Sequence, residues 1–144
     1  IDAHIPENYI SSLNQRIDIY RKIILVTNDN EKLELIDELI DRYGEPPKSV
    51  IGLIDVSLLR NMASHLCISE INQRNGSMYF YIERPTMSQI YALSAAYKGR
   101  ITFNSLSNPY IAIKITPKTR PFDMMKEVIE IMHKNKDNDN VNPL

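Results

Sequence analysis

The sequence predicts an α+β domain in which helices come first and strands follow. Three segments with apolar residues at helical spacing fill residues 6–66. After them the pattern changes to short alternating runs, and one run is interrupted by Asn75 and Gly76, the pair that a two-residue hairpin favours. Because helices lead and sheet elements follow, α+β is favoured over a doubly wound parallel sheet. The predicted order is three helices, a β-hairpin, a helix, a second strand pair and a C-terminal helix, around a small, largely antiparallel sheet.

The first predicted helix begins at Pro6, a residue that suits the first turn of a helix. Steps of three and four between apolar residues predict one buried face, made of Ile10, Leu13, Ile17, Tyr20 and Ile23. Asn28, Asp29 and Asn30 then supply a break and a candidate N-cap for the next helix. The first two helices are therefore expected to form an antiparallel pair.

The second predicted helix covers residues 31–43 and ends at Gly44, which suits the left-handed position after a helix. The residues predicted to face the core are Leu33, Ile36, Leu39, Ile40 and Tyr43. At about 100° per residue, Glu34, Glu38 and Asp41 fall in one sector on the opposite side. The pattern thus predicts an exposed acidic stripe, for which an ordinary solvated helix face is the simplest interpretation.

The third predicted helix starts at Lys48 and is apolar around more than one stripe, as expected of a helix contacted from two sides. In the hairpin that follows, Met78, Phe80 and Ile82 are predicted to face the core, and Tyr79 and Tyr81 the other side.

The remaining elements are marked by caps and alternation. Thr86 or Ser88 is expected to cap a short helix that ends at Gly99. Residues 101–103 and 110–115 are predicted to form the second strand pair, and Pro121 to open the last helix.

Length and composition fit one small globular domain. The chain has 144 residues, 43% hydrophobic and 24% charged, which predicts a single domain over residues 1–134 and a flexible polar tail over 135–144. A net charge of −1 gives no sign of independent nucleic-acid binding. No run approaches the length of a membrane span and no signal peptide is recognisable, so a cytoplasmic location is expected. Because it begins with Ile, the chain is expected to be a piece of something larger.

No pattern in the sequence predicts catalysis, a metal site or a cofactor. His4, His65 and His133 lack a second ligand at metal spacing, and the lone Cys67 is expected to be a buried thiol. The four glycines form no phosphate-binding loop, so this segment is not expected to bind ATP. We therefore expect a non-catalytic domain.

Three stretches resemble one known family. They are Ile5-Pro6-Glu7-Asn8-Tyr9-Ile10, Arg16-Ile17-Asp18-Ile19-Tyr20-Arg21-Lys22-Ile23 and, above all, Glu38-Leu39-Ile40-Asp41-Arg42-Tyr43-Gly44-Glu45-Pro46-Pro47. The chain is similar there to the C-terminal domain of the bacterial transcription-repair coupling factors, the Mfd family. The likeness is close over residues 1–66 and looser beyond them.

The resemblance implies a role in DNA repair. Members of the family are large cytoplasmic proteins with an ATP- and Mg-dependent translocase module that acts on double-stranded DNA, displaces stalled RNA polymerase and recruits the excision-repair protein UvrA. The resemblance also implies that the C-terminal domain masks the UvrB-like module that UvrA binds, which is autoinhibition by an intramolecular contact. No cofactor and no membrane partner are expected for the domain itself.

The partner-binding residues follow from the same motif. The resemblance implies that Glu38 and Asp41 face basic residues of the masked module, with Arg42 beside them, and the helical pattern adds Glu34 and Asp37. A second class of function stays open. In it, the hairpin and second strand pair, with Tyr79, Tyr81, Lys114 and Arg120, form a nucleic-acid or small-molecule binding platform.

Overall fold

The structure is a computed structural model that describes residues 3–136. It confirms the predicted α+β order, with five α-helices and four strands in the described residues. The helices are α1 (Leu13–Ile24), α2 (Asp29–Tyr43), α3 (Lys48–His65), α4 (Met87–Ala96) and α5 (Pro121–Lys134), and the strands are β1 (Ile68–Arg74), β2 (Ser77–Ile82), β3 (Ile101–Asn104) and β4 (Tyr110–Lys114). Of the predicted tail over 135–144, residues 137–144 lie outside the described residues.

The chain divides into two compact units, one ending at Met62 and the other beginning at Ala63. The first unit holds α1, α2 and most of α3, and the second holds the sheet with α4 and α5. The prediction of a single domain over 1–134 stays a prediction.

The first helix begins later than the sequence predicts. Pro6 opens a turn, in which its carbonyl accepts from the backbone N–H groups of Tyr9 and Ile10, and α1 starts only after Ser12. The Ser12 hydroxyl caps the helix by accepting from the Gln15 N–H at 3.3 Å. The Arg16 guanidinium donates to the Ile10 and Ser11 carbonyls at 2.8 and 3.0 Å. These two carbonyls are therefore satisfied by a side chain and not by the backbone of a helix.

The buried face of α1 matches the predicted one only in part, because Ile23 is buried as predicted and so is Ile10, which lies ahead of the helix. Ile19 and Ile23 are fully buried, whereas Leu13, Ile17, Tyr20 and Ile24 are exposed and form their own stripe at helical spacing. The helix carries two apolar faces, and periodicity alone does not select between them.

The second helix is rotated relative to its predicted orientation. Leu35 and Leu39 are its buried residues, while Leu33 and Ile40, both predicted to face the core, are exposed. The N-cap is Asn28, whose side chain accepts from the Glu31 N–H at 2.8 Å. Gly44 ends the helix with φ +83°, a conformation that favours glycine, as the sequence predicts.

Polar contacts tie the three helices of the first unit together. Lys32 on α2 bonds Asp55 on α3 at 2.5 Å. The Asn61 amide of α3 donates to the carbonyls of Ile24 and Val26 at 2.9 and 2.7 Å. The Asn61 contacts satisfy backbone carbonyls at and just beyond the end of α1, and the Lys32–Asp55 pair links α2 to α3.

The second unit is built on one antiparallel sheet with strand order β1-β2-β4-β3. The predicted hairpin is confirmed, because Asn75 and Gly76 both have positive φ, 51° and 76°, at the turn between β1 and β2. Phe80 lies opposite Ile111 in the register, and both are buried. The two predicted strand pairs thus join through β2 and β4 into a single sheet.

Helices α4 and α5 are joined by a buried amide. Thr86 caps α4 in a capping box with Gln89, and the Gln89 amide also donates to the Met132 carbonyl of α5 at 2.9 Å. Tyr97, which follows α4, donates its hydroxyl to Glu127 on α5. Burial and this acceptor raise the pKa of Tyr97 well above its ordinary value, so the hydroxyl stays protonated as a donor.

Cys67 is exposed, which corrects the expectation of a buried thiol. It lies on the turn between α3 and β1 with φ +62°. Because the chain changes direction there, the side chain falls outside the packed face of the helix.

Candidate functional site

The five predicted partner-binding residues all lie on α2, but they divide into two groups with different surroundings. Taking Leu35 and Leu39 as the centre of the buried side, about 100° per residue places Asp37 almost opposite that centre and Glu38 only about 80° from it. Asp37 therefore marks the middle of the outer face, and Glu38 lies at the edge that meets α1.

Glu38 and Arg42 are engaged within the chain. Oε2 of Glu38 lies 2.6 Å from Nζ of Lys22 on α1 and 3.0 Å from Nη1 of Arg42, one helical turn further along α2. The Glu38 side chain is 33% exposed. The hydrogen bond from Lys22, helped by Arg42 and opposed by partial burial, lowers the pKa of Glu38, so this carboxyl is ionised near neutral pH.

Glu34, Asp37 and Asp41 are exposed and have no hydrogen bond or ion pair with any described residue. We call these three residues the outer acidic face. They lie within about 60° of one another around the helix axis. Their carboxylates are available to an external cation without breaking any contact with residues 3–136.

Sequence reasoning missed a groove beside this face. The α1–α2 groove, of about 260 Å³, is lined by Lys22, Leu25, Val26, Glu31, Glu34, Leu35 and Glu38. Leu25, which caps the C-terminus of α1, is 71% exposed at its rim. The Lys22–Glu38 pair depends on the rotation of α1 and α2, which apolar spacing alone does not determine. No sequence signal points to Leu25.

Glu31, which also lines the groove, is held in place by Thr27. Its Oε1 accepts from the backbone N–H and the hydroxyl of Thr27 at 2.8 and 2.6 Å. The Thr27 hydroxyl, followed by the Thr27 N–H, lowers the pKa of Glu31. Glu31 and Glu38, which both border the groove, are consequently ionised near neutral pH.

The tyrosines of the alternative platform pack on each other. Tyr79, Tyr81 and Tyr110 form a cluster with ring centroids 5.0–6.4 Å apart. The Arg74 guanidinium lies 4.1 Å from the centre of the Tyr79 ring and donates to the Tyr81 hydroxyl at 2.8 Å. Tyr81 is buried, with 8% of its surface exposed, so it offers no open ring face for stacking a base.

The two basic residues of that platform have different surroundings. Arg120 pairs with Asp123 at 3.0 Å near the start of α5, whereas Lys114 at the end of β4 is exposed. The structure does not bring the four residues of the platform together as a set of open contact groups.

Residues 3–136 lack two kinds of feature, a metal-binding cluster and a membrane-spanning helix. In that part of the chain no group of three or more His, Cys, Asp or Glu side chains could hold a metal ion. None of the helices described there combines the length and the apolar composition needed to cross a bilayer.

Comparison with known proteins gives consistent results. A family model of the TRCF domain matches residues 1–93. The chain is 36% identical over 90 residues to the transcription-repair-coupling factor of Bacillus subtilis, a match that covers 62% of this chain and 8% of that protein. It is 33% identical over 78 residues to the transcription-repair-coupling factor of Escherichia coli, covering 53% and 7%. The chain therefore spans less than a tenth of the length of these relatives.

A solved structure supports the fold over nearly the whole chain. The crystal structure of a C-terminal domain of transcription-repair coupling factor superposes with a TM-score of 0.76 and 20% sequence identity, covering 96% of this chain and 91% of that one. The motif resemblance and the α+β architecture are both confirmed. The family match and the fold together place this chain in the TRCF domain family, the C-terminal domains of the transcription-repair coupling factors of DNA repair.

Proposed function

We propose that this chain is the regulatory C-terminal domain of a transcription-repair coupling factor and that it docks on the UvrB-like module of the same protein. Docking covers the surface to which UvrA binds, so the contact is autoinhibitory. In this proposal other modules of the full-length protein carry the ATP-driven translocation on double-stranded DNA and the displacement of RNA polymerase. The domain itself contributes binding and no chemistry.

The observation that carries the proposal is the outer acidic face. Three carboxylates, Glu34, Asp37 and Asp41, lie on one side of α2 with no described partner inside the chain. A basic surface on the UvrB-like module would complement them. Clustered like charges without partners repel one another, and their electrostatic free energy falls when a cationic surface covers them.

The strength of such a contact suits a release mechanism. Exposed ion pairs contribute about 0–1 kcal/mol each and are screened by salt. Three or more of them hold a domain in place, yet a modest conformational change elsewhere in the protein is enough to open the contact. A large apolar interface would be a poorer switch, because it would cost more to open.

Glu38 and Arg42 take a different part in the proposal from the one their motif implies. Glu38 already bonds Lys22 and Arg42, so an external cation reaches it only by exchange with one of them. Glu38 links α2 to Lys22 of α1 at the edge of the outer acidic face, and Arg42, one turn along α2, contacts the same carboxylate.

Charge neutralisation tests the proposal directly. The purified UvrB-like module is titrated with the wild-type chain and with the triple variant Glu34→Gln, Asp37→Asn, Asp41→Asn. We expect affinity to fall by a factor of about 10 or more, since about 1.4 kcal/mol corresponds to tenfold. The matched control removes three charges from exposed acids of the second unit, with Glu70→Gln, Glu83→Gln and Glu130→Gln. Equal weakening by both variants would point to net charge rather than to this face.

A further inference from the structure

The α1–α2 groove has the composition of a receptor for a long cationic side chain. Its floor is apolar, formed by the buried side chains of Val26 and Leu35. Its border carries three carboxylates against a single ammonium group, that of Lys22. Lysine and arginine have this same division, with an aliphatic stem and a charged end.

Of the three carboxylates, Glu34 has the most freedom to bind. Glu31 accepts two hydrogen bonds from Thr27, and Glu38 is bonded by Lys22 and Arg42. Glu34 has no described partner. It belongs to the outer acidic face and also lines the groove, so it joins the two surfaces.

Leu25 supplies an apolar contact at the rim. It is 71% exposed, immediately after Ile24, which is 62% exposed. Only Leu25 of these two lines the groove. An exposed leucine beside a groove with an acidic border fits a partner that combines a cationic with an apolar side chain.

We propose that the α1–α2 groove binds a basic protein segment, which inserts one lysine or arginine side chain toward Glu34 and rests an apolar neighbour on Leu25. This inference rests on the proposed docking function. It adds the groove to the docking contact as a second part beside the outer acidic face. The outer residues Asp37 and Asp41 steer and orient the partner, while the groove provides the part of the interface that excludes water.

Charge complementarity selects this occupant over the alternatives. A nucleic acid would bring phosphates toward an acidic border, which is unfavourable. A purely apolar segment would leave the Glu34 carboxylate facing it without compensation. A cationic side chain with an apolar neighbour satisfies both the border and the floor.

The first test uses a probe that is independent of the UvrB-like module. A 14-residue amidated helical peptide of Leu and Arg is titrated into the ¹⁵N-labelled chain, and a Leu and Glu peptide of the same pattern is the control. We expect the Leu and Arg peptide alone to shift the amide resonances of Leu25, Val26 and Leu35. Shifts confined to the neighbourhood of Asp37 and Asp41, or no shifts at all, would overturn the groove proposal.

The second test compares two neighbouring exposed apolar residues, Leu25 and Ile24. Leu25→Ala is expected to weaken binding of the Leu and Arg peptide at least fivefold, whereas Ile24→Ala changes it less than twofold. Circular dichroism melts of both variants check that these exposed substitutions leave the fold intact. Equal effects of the two substitutions would show that general surface hydrophobicity, and not the groove, is recognised.

The same variants separate this inference from the proposed function. If the UvrB-like module binds the wild-type chain and Leu25→Ala has no effect on that binding, the groove proposal is wrong and the outer acidic face remains. If the peptide binds in the groove and the UvrB-like module does not bind at all, the groove stands and the docking function fails.

Discussion

Nζ of Lys22 and Nη1 of Arg42 converge on one oxygen of Glu38, at 2.6 and 3.0 Å. Through this oxygen α1 is joined to α2 at the edge of the outer acidic face. A residue that the family motif marks as a partner contact is thus also an internal link.

Removing the Lys22–Glu38 link should cost little stability. Both side chains are partly exposed, and such pairs contribute about 0.2–1 kcal/mol. A double-mutant cycle of Lys22→Ala and Glu38→Ala, followed by urea denaturation, should therefore give a coupling free energy in that range. The coupling should shrink as salt rises to about 1 M, where the Debye length is about 3 Å. A salt-independent coupling above about 2 kcal/mol would contradict the exposed geometry.

The contribution of Glu38 to the free energy of unfolding should decrease at acid pH. Its pKa in the folded chain is lowered from the ordinary 4.5 by Lys22. A group with a lowered folded pKa adds stability above its unfolded pKa, and this stability is lost as pH falls through the folded value. The difference in free energy of unfolding between wild type and Glu38→Gln should be constant above about pH 5.5 and shrink below about pH 4.5. A difference that grows on acidification would reverse the assigned sign.

Asn28 should be the residue on which the start of α2 depends. Its side chain accepts from the Glu31 N–H at 2.8 Å, and loss of such a cap costs about 1 kcal/mol. Asn28→Ala should lower the free energy of unfolding by that amount, while Asn28→Asp should retain most of it. Asn30→Ala, two residues inside the helix, is the control and should change stability by less than about 0.5 kcal/mol.

Gln89 should be far more sensitive than its residue type suggests. Only 3% of it is exposed, and its amide accepts from the Thr86 N–H and donates to the Met132 carbonyl. Gln89→Leu leaves the Thr86 N–H without its acceptor and removes one of the two donors to the Met132 carbonyl, which also accepts from the Asn135 N–H. The loss should cost about 1–3 kcal/mol. Denaturant unfolding should show this loss, and the exposed Gln15→Ala should change stability by less than about 0.5 kcal/mol. No loss on Gln89→Leu would mean that the buried amide is not needed to join α4 to α5.

Caps, turns and element order were predictable from sequence because local chemistry determines them. Asn75-Gly76, Thr86 and Gly44 each act within a few residues of themselves, and each is found where it was expected. The Arg16 side chain bonds to the Ile10 and Ser11 carbonyls, which helps explain why α1 begins at Leu13 and not at Pro6. That contact depends on a side-chain direction that spacing alone does not reveal.

Helix rotation was not predictable, and the candidate site changed because of it. On α2, Leu33, Leu35, Leu39 and Ile40 cover a wide arc, so more than one buried side fits the pattern. Packing selects Leu35 and Leu39. That choice moves Asp37 to the centre of the outer face and Glu38 to its edge, where it meets Lys22. The acidic residues were found from sequence, but their division of roles required the tertiary contact.

Masking is tested most directly by competition. The UvrB-like module is loaded with the wild-type chain, and UvrA is added while binding of both is followed. The account predicts that UvrA and the chain exclude each other, and that the triple variant Glu34→Gln, Asp37→Asn, Asp41→Asn is displaced by about tenfold less UvrA. Formation of a ternary complex of UvrA, the UvrB-like module and the chain would contradict autoinhibition by masking.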